Sequence, residues 1–150
     1  MILNLYEDVM DNQIIITKIW QDIHVQQFRF TCNSNAVSVV AKVYLCQKSI
    51  EELTQCMMKF LRNTKRDQMW YNGDNKTQSI PYIAFGFRQA DSRGHIVINI
   101  SIHDQDSNMI PYSVTFCIQT ELGALGRFAQ ELSYLPTLPI NTTIYLYDPW

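Results

Sequence analysis

At 150 residues the chain can bury a core within one domain, without help from disulfides or metal. Its 47% apolar and 17% charged composition excludes a disordered polypeptide, and a net charge of −2 argues against a dedicated nucleic-acid binder. The charge is unevenly spread: four acids and one base in residues 1–24, five acids and ten bases in 25–100, and five acids and one base in 101–150. If the acidic ends meet in the fold they form one acidic surface that steers a basic partner; otherwise these charges only solvate the surface. Residues 1–8 lack a basic leader and a long apolar segment, and no run nears the roughly 18 apolar residues of a spanning helix. Cys32, Cys46, Cys56 and Cys117 are widely spaced, each within an apolar pattern, as expected of buried, reduced thiols. The expectation is a soluble, cytoplasmic protein, in which the sequon at Asn141-Thr142-Thr143 has no meaning.

Taken in order, residues 13–20 are β-branched and apolar, and predict a strand. Residues 24–32 alternate, with Phe28, Phe30 and Cys32 on one face and Gln27, Arg29 and Thr31 on the other. A turn at Asn33-Ser34-Asn35 leads to a strand over 37–45, whose core row is Val37, Val39, Ala41, Val43 and Leu45. Ser49 with Glu52 three residues on has the spacing of a capping box, and Ile50, Leu53, Cys56, Met57, Phe60 and Leu61 form the apolar stripe of a helix over 49–62. Residues 65–79 read as a polar loop that exposes Trp70 and Tyr71. A strand over 80–88, with Pro81 at its start, and a turn at 90–94 follow. Ile96, Ile98, Ile100 and Ile102 then line one face of a strand.

The acidic loop opening at Asp104 turns the chain into a strand carrying Val114, Phe116 and Ile118. From Thr120 the period lengthens: Leu122, Leu125, Phe128, Ala129 and Leu132 mark a helix over 120–134. Pro136 and Pro139 end it, and residues 142–147 suit a last short strand. The two helices echo one another, Ser49 to Phe60 against Thr120 to Phe128. Capped amphipathic helices look alike by chance, so the echo alone does not establish a duplication. The whole predicts an α+β fold: a mostly antiparallel sheet, curved or in two layers, with two helices on it. Leu53, Phe60, Ile98, Ile100, Phe116, Leu125 and Phe128 are its expected core.

Catalytic chemistry is not evident. His24, His95 and His103 lack the i+2 or i+4 partners that help hold a metal, and His95 and His103, on one strand face, stand roughly 25 Å apart. Asp104 and Asp106 sit among turn formers. Gly123 and Gly126 fall inside the second helix rather than in a phosphate loop, and close approach of that helix to the sheet would offset their helical cost. No serine or cysteine lies in a nucleophile elbow. Lys59, Arg62, Lys65 and Arg66 gather at the end of the first helix, where positive charge complements the dipole.

Strands ending in Tyr44-Leu45, Ile50-Glu51-Glu52-Leu53 with Phe60-Leu61, then Asp91-Ser92-Arg93-Gly94-His95-Ile96-Val97-Ile98, Val114-Thr115-Phe116 and the helix to Leu132 resemble the WapI-like immunity proteins over roughly residues 25–135. The resemblance implies a small, non-enzymatic cytoplasmic protein, with no cofactor and no nucleic-acid or membrane partner, that binds and blocks a cognate toxin domain of a polymorphic or contact-dependent system, a nuclease among the options. It carries across no binding residue. Aromatics beside carboxylates in loops make Trp70, Tyr71, Asp74, Asp104 and Asp106 the expected toxin-binding residues. Rival readings are an adaptor module, an RNA-binding module using Lys65, Arg66, Trp70 and Tyr71, and a small hydrolase whose polar pocket forms only in the fold.

Overall fold

Alternation of apolar and polar residues over eight short segments, and two stretches of helical period between them, produce the elements of the computed structural model, which describes residues 12–73, 81–104 and 112–147. In order they are β1 (Gln13–Gln21), β2 (Gln26–Asn33), β3 (Ser38–Leu45), α1 (Gln47–Arg62), β4 (Gln68–Asn72), β5 (Tyr82–Gln89), β6 (His95–Asp104), β7 (Tyr112–Glu121), α2 (Leu122–Tyr134), one 3-10 turn (Leu135–Thr137) and β8 (Thr143–Tyr147). The strands form two antiparallel sheets, β3-β2-β1-β8 and β4-β5-β6-β7, giving the expected α+β fold in its two-layer form. The first and last strands pair, Gln13 in register with Tyr147.

The topology is one β-β-β-α-β unit met twice. In each unit the strand after the helix leaves its own sheet and pairs with the first strand of the other unit: β4 with β5, and β8 with β1. Setting the helix starts together, Gln47 on Leu122, matches Ile50, Leu53, Met57 and Phe60 to Leu125, Phe128, Leu132 and Leu135, all buried. The helical echo in the sequence is thus real but runs in a different register, with Phe60 answering Leu135 rather than Phe128.

The inner faces share one core. Phe30 of the first sheet lies 6.0 Å from Phe85 of the second, Trp70 stacks on Phe85 at 5.9 Å, and Phe60 of α1 meets Phe87 at 6.1 Å. Aromatic contacts at such distances add to the burial that drives folding. The β7 strand spans the first sheet from edge to edge. The Tyr112 hydroxyl donates to the Val40 carbonyl of β3 at 3.3 Å, and the Thr120 hydroxyl to the Tyr147 carbonyl of β8 at 3.1 Å. The two helices pack together, but a Cβ at Gly126 would meet Leu61 only at 4.0 Å and one at Gly123 would meet the Arg127 guanidinium at 3.9 Å, so neither glycine is there for the expected close approach to a sheet.

One inward position of β1 holds a cation. Lys18 follows Ile14 and Ile16 in the core row and is only 2% exposed. Its ammonium donates to the carbonyls of Pro136, at 2.9 Å, and Leu138, at 2.8 Å, and so pins the segment that follows α2. The Gln26 amide donates to the same Pro136 carbonyl at 3.0 Å. Burial pushes the Lys18 pKa below its ordinary value.

Several sequence expectations are corrected. Residues 68–72 form a strand, not a loop, because Trp70 finds a partner in Phe85. Helix α1 begins two residues before Ser49, with Cys46 at the N-cap and no side-chain cap, so there is no capping box. Thr120 remains in β7 and uses its hydroxyl on β8; Glu121 is the N-cap of α2. Phe116 is half-buried, because β7 is an edge strand, whereas the other six expected core residues are buried. The cysteines are all free, yet only Cys32 is buried; Cys56 is half-buried, and Cys46 and Cys117 are exposed.

Candidate interaction surface

Of the residues expected to form a site, the three that are described, Trp70, Tyr71 and Asp104, are not brought together. Trp70 is 6% exposed and belongs to the core, while Tyr71, next along β4, points to the opposite face and is 63% exposed, 6.4 Å from the Tyr82 ring. Asp74 and Asp106 lie outside the described residues. Asp104 is the last residue of β6, in register with Tyr112. Burial, then the adjoining Asp104 carboxylate, pushes the Tyr112 phenol above its ordinary pKa. Tyr71 is in register with Ala84 and, through it, Ser101, three residues before Asp104 and two strands away. That separates the two by about 14 Å, and strand alternation turns them to opposite faces.

The remaining chemical candidates have structural partners. His95 Nδ1 lies 2.6 Å from Asp91 Oδ2, while Asp91 Oδ1 accepts the Arg93 amide at 2.7 Å, which shapes the β5–β6 turn. The Cys46 thiol, 3.3 Å from the Ser49 hydroxyl, is held below its ordinary pKa by that hydroxyl and then by the Ser49 amide, as expected at a helix N-terminus. Among the described residues, no three His, Cys, Asp or Glu side chains gather as a metal site.

The surface that stands out is the outer face of the first sheet. Register assembles it in rows across β3, β2, β1 and β8: Tyr44, Gln27 and Trp20; Lys42, Arg29, Thr17 and Thr143; Val40, Thr31, Ile15 and Tyr145. Trp20, Val40, Tyr44, Tyr145 and Tyr147 are all exposed, large and apolar. Trp20 and Tyr44 meet edge to face at 6.0 Å. The Thr17 and Thr143 hydroxyls bond at 2.9 Å and hold β8 on β1 at the centre of the face.

Its charge is one-sided. Arg29 and Lys42 are direct cross-strand partners, both exposed, and the rows of this face contain no carboxylate. Like charges placed opposite one another in a sheet are destabilising, so this pair lowers stability in the free protein. The sequence carried part of the signal, since the outward positions between the core residues of β3 and β8 hold Tyr44, Tyr145 and Tyr147 where small polar residues are the norm. It did not show that β8 lies beside β1, and without that pairing the aromatics are scattered.

Comparison with known proteins finds no matching family model, curated protein or solved structure.

Proposed function

We propose that this protein works by binding another protein across the outer face of its first sheet, as an immunity protein that masks a cognate toxin domain. The observation that carries the binding reading is the opposed Arg29–Lys42 pair set among Trp20, Val40, Tyr44 and Tyr145. Tryptophan, tyrosine and arginine are the residues that most often anchor protein interfaces. An acidic group of a partner placed between the two cations would relieve their repulsion only in the complex. The toxin assignment rests on the resemblance of residues 25–135 to the WapI-like immunity proteins. The face favours a partner with an acidic patch, the reverse of the basic partner that the acidic chain ends suggested.

The test is protection and direct binding, using the toxin domain encoded beside this gene. The Arg29→Glu/Lys42→Glu variant should stay folded, because both side chains are exposed, and should lose affinity by about 100-fold or more. A folded variant that binds and protects like the wild type would remove this face from the interface. A wild-type protein that ignores the toxin would end the immunity reading.

A further inference from the structure

A second surface lies on the other sheet and is independent of the first. The β4 strand is five residues long, stands at the edge of the second sheet and, among the described residues, pairs only with β5. An edge strand leaves alternate N–H and C=O groups pointing outward, ready to pair with another chain. Helix α1 runs alongside β4, and between them is a groove of about 560 Å³. Met58, Lys59, Arg62 and the acid Glu52 line it from the helix, and Gln68 and Met69 from the strand. Met69 is 72% exposed and neighbouring Met58 42%, so the groove offers soft, adaptable apolar side chains. Its charged lining is net positive, Lys59 and Arg62 of the last turn of α1 against Glu52, and Lys65, Arg66 and Asp67 follow in the chain.

The matching place in the second unit differs on both counts. The last turn of α2 holds no base, and at the end of β8 the Tyr147 carbonyl accepts the Thr120 hydroxyl of β7. Among the described residues, an edge strand beside a cationic helix end therefore belongs to one unit alone and does not follow from the repeated topology.

We propose that the groove between α1 and β4 takes an extended acidic segment of a partner protein, which joins the second sheet as a fifth strand beside β4. Main-chain hydrogen bonds to the edge would supply affinity. Alternate side chains would reach Met69 on the strand side and Lys59 and Arg62 on the helix side, which selects a segment alternating apolar and acidic residues. A segment matching β4 would span about 17 Å.

The probe is a short fluorescein-labelled peptide alternating valine and glutamate, titrated by anisotropy into the full-length protein, with amide hydrogen exchange followed by NMR. Saturable binding, with residues 68–72 slowed in exchange, is the expected result. A peptide of equal charge with proline at alternate positions, which cannot pair with an edge, should bind at least tenfold more weakly. The same loss is expected for the wild-type peptide on the Lys59→Glu/Arg62→Glu variant, both exposed positions. No binding at about 1 mM would overturn the proposal. So would equal affinity for the proline peptide, or for a single-stranded oligonucleotide of equal charge, either of which would mark a plain cationic patch.

Discussion

The two units share a backbone plan and differ in what fills it. With the helix starts matched, register places Ile14, Ile16 and Lys18 of β1 against Ile83, Phe85 and Phe87 of β5, and Phe28, Phe30 and Cys32 of β2 against Ile98, Ile100 and Ile102 of β6. Aromatics in β2 are answered by aromatics in β5, so Phe30 and Phe85 can meet across the core without crowding. At the third position the units part. Phe87 packs on Phe60 of α1, whereas Lys18, its counterpart, reaches past Leu135 to the carbonyls that end the other helix. Both helices are buried along an apolar stripe, to which the first adds a ring contact, while just past the second an ammonium holds main-chain oxygens. Burying a cation costs desolvation, so the second device is the weaker source of stability. Its directionality instead fixes the path of the chain from α2 into β8.

The outer faces diverge as much. The second sheet presents small and polar residues at its centre, Ala84, Gly86, Asn99, Ser101, Thr115 and Cys117, with the Cys117 thiol bonded to Asn99 at 2.8 Å. The first presents rings and paired cations. A face whose own polar groups bond one another has little left to offer a partner, whereas an opposed like-charge pair is satisfied only from outside.

Five measurements bear on this contrast, and the largest effect is expected where the ring lock is cut. Phe87→Ala should cost roughly 3–5 kcal/mol in urea denaturation, because Phe87 is fully buried and contacts Phe60. Lys18→Met should cost less, about 1–3 kcal/mol, since it keeps the apolar stem and orphans the Leu138 carbonyl while Gln26 still serves Pro136. Equal losses at the two sites would show that both locks work by packing alone.

Alkali should separate the units next. Burial pushes the Cys32 thiol up to about 12, while its counterpart in the second unit, Ile102, cannot ionise. A raised folded pKa means that this contribution is fully present below the thiol's ordinary range and is lost as pH climbs toward 12. By pH 10 the loss should be about 1–2 kcal/mol relative to Cys32→Val, which should be flat over the same interval. At pH 8, exposed Cys46, its pKa lowered by Ser49, should be the first thiol alkylated and Cys32 the last, read by timed mass spectrometry. The smallest effect is expected at the face itself. Lys42→Glu turns a repulsive pair with Arg29 into an attractive one and should raise stability by about 0.2–1 kcal/mol. A fall instead would mean that the paired cations are not in conflict.

The sequence by itself determined the local elements. The isoleucine row of β6, the alternation of β2 and β3, and the stripes Ile50-Leu53-Met57-Phe60 and Leu125-Phe128-Leu132 all lie where period predicts, because which side of a strand or helix a residue occupies depends on its near neighbours alone. Everything that needed a distant partner was decided by the tertiary structure. Residues 68–72 look like a polar loop until Trp70 meets Phe85, and Lys18 looks like a surface lysine until residues 136–138 deliver their carbonyls. Phe116 and Cys117 have the pattern of core residues but stand on an edge strand, where the sheet ends and burial with it. The exchange of β4 and β8 between the units is invisible to periodicity, since a strand's alternation is the same whichever sheet receives it. That exchange sets Tyr145 and Tyr147 beside β1 and leaves β4 open along α1, so both proposed surfaces are products of long-range pairing.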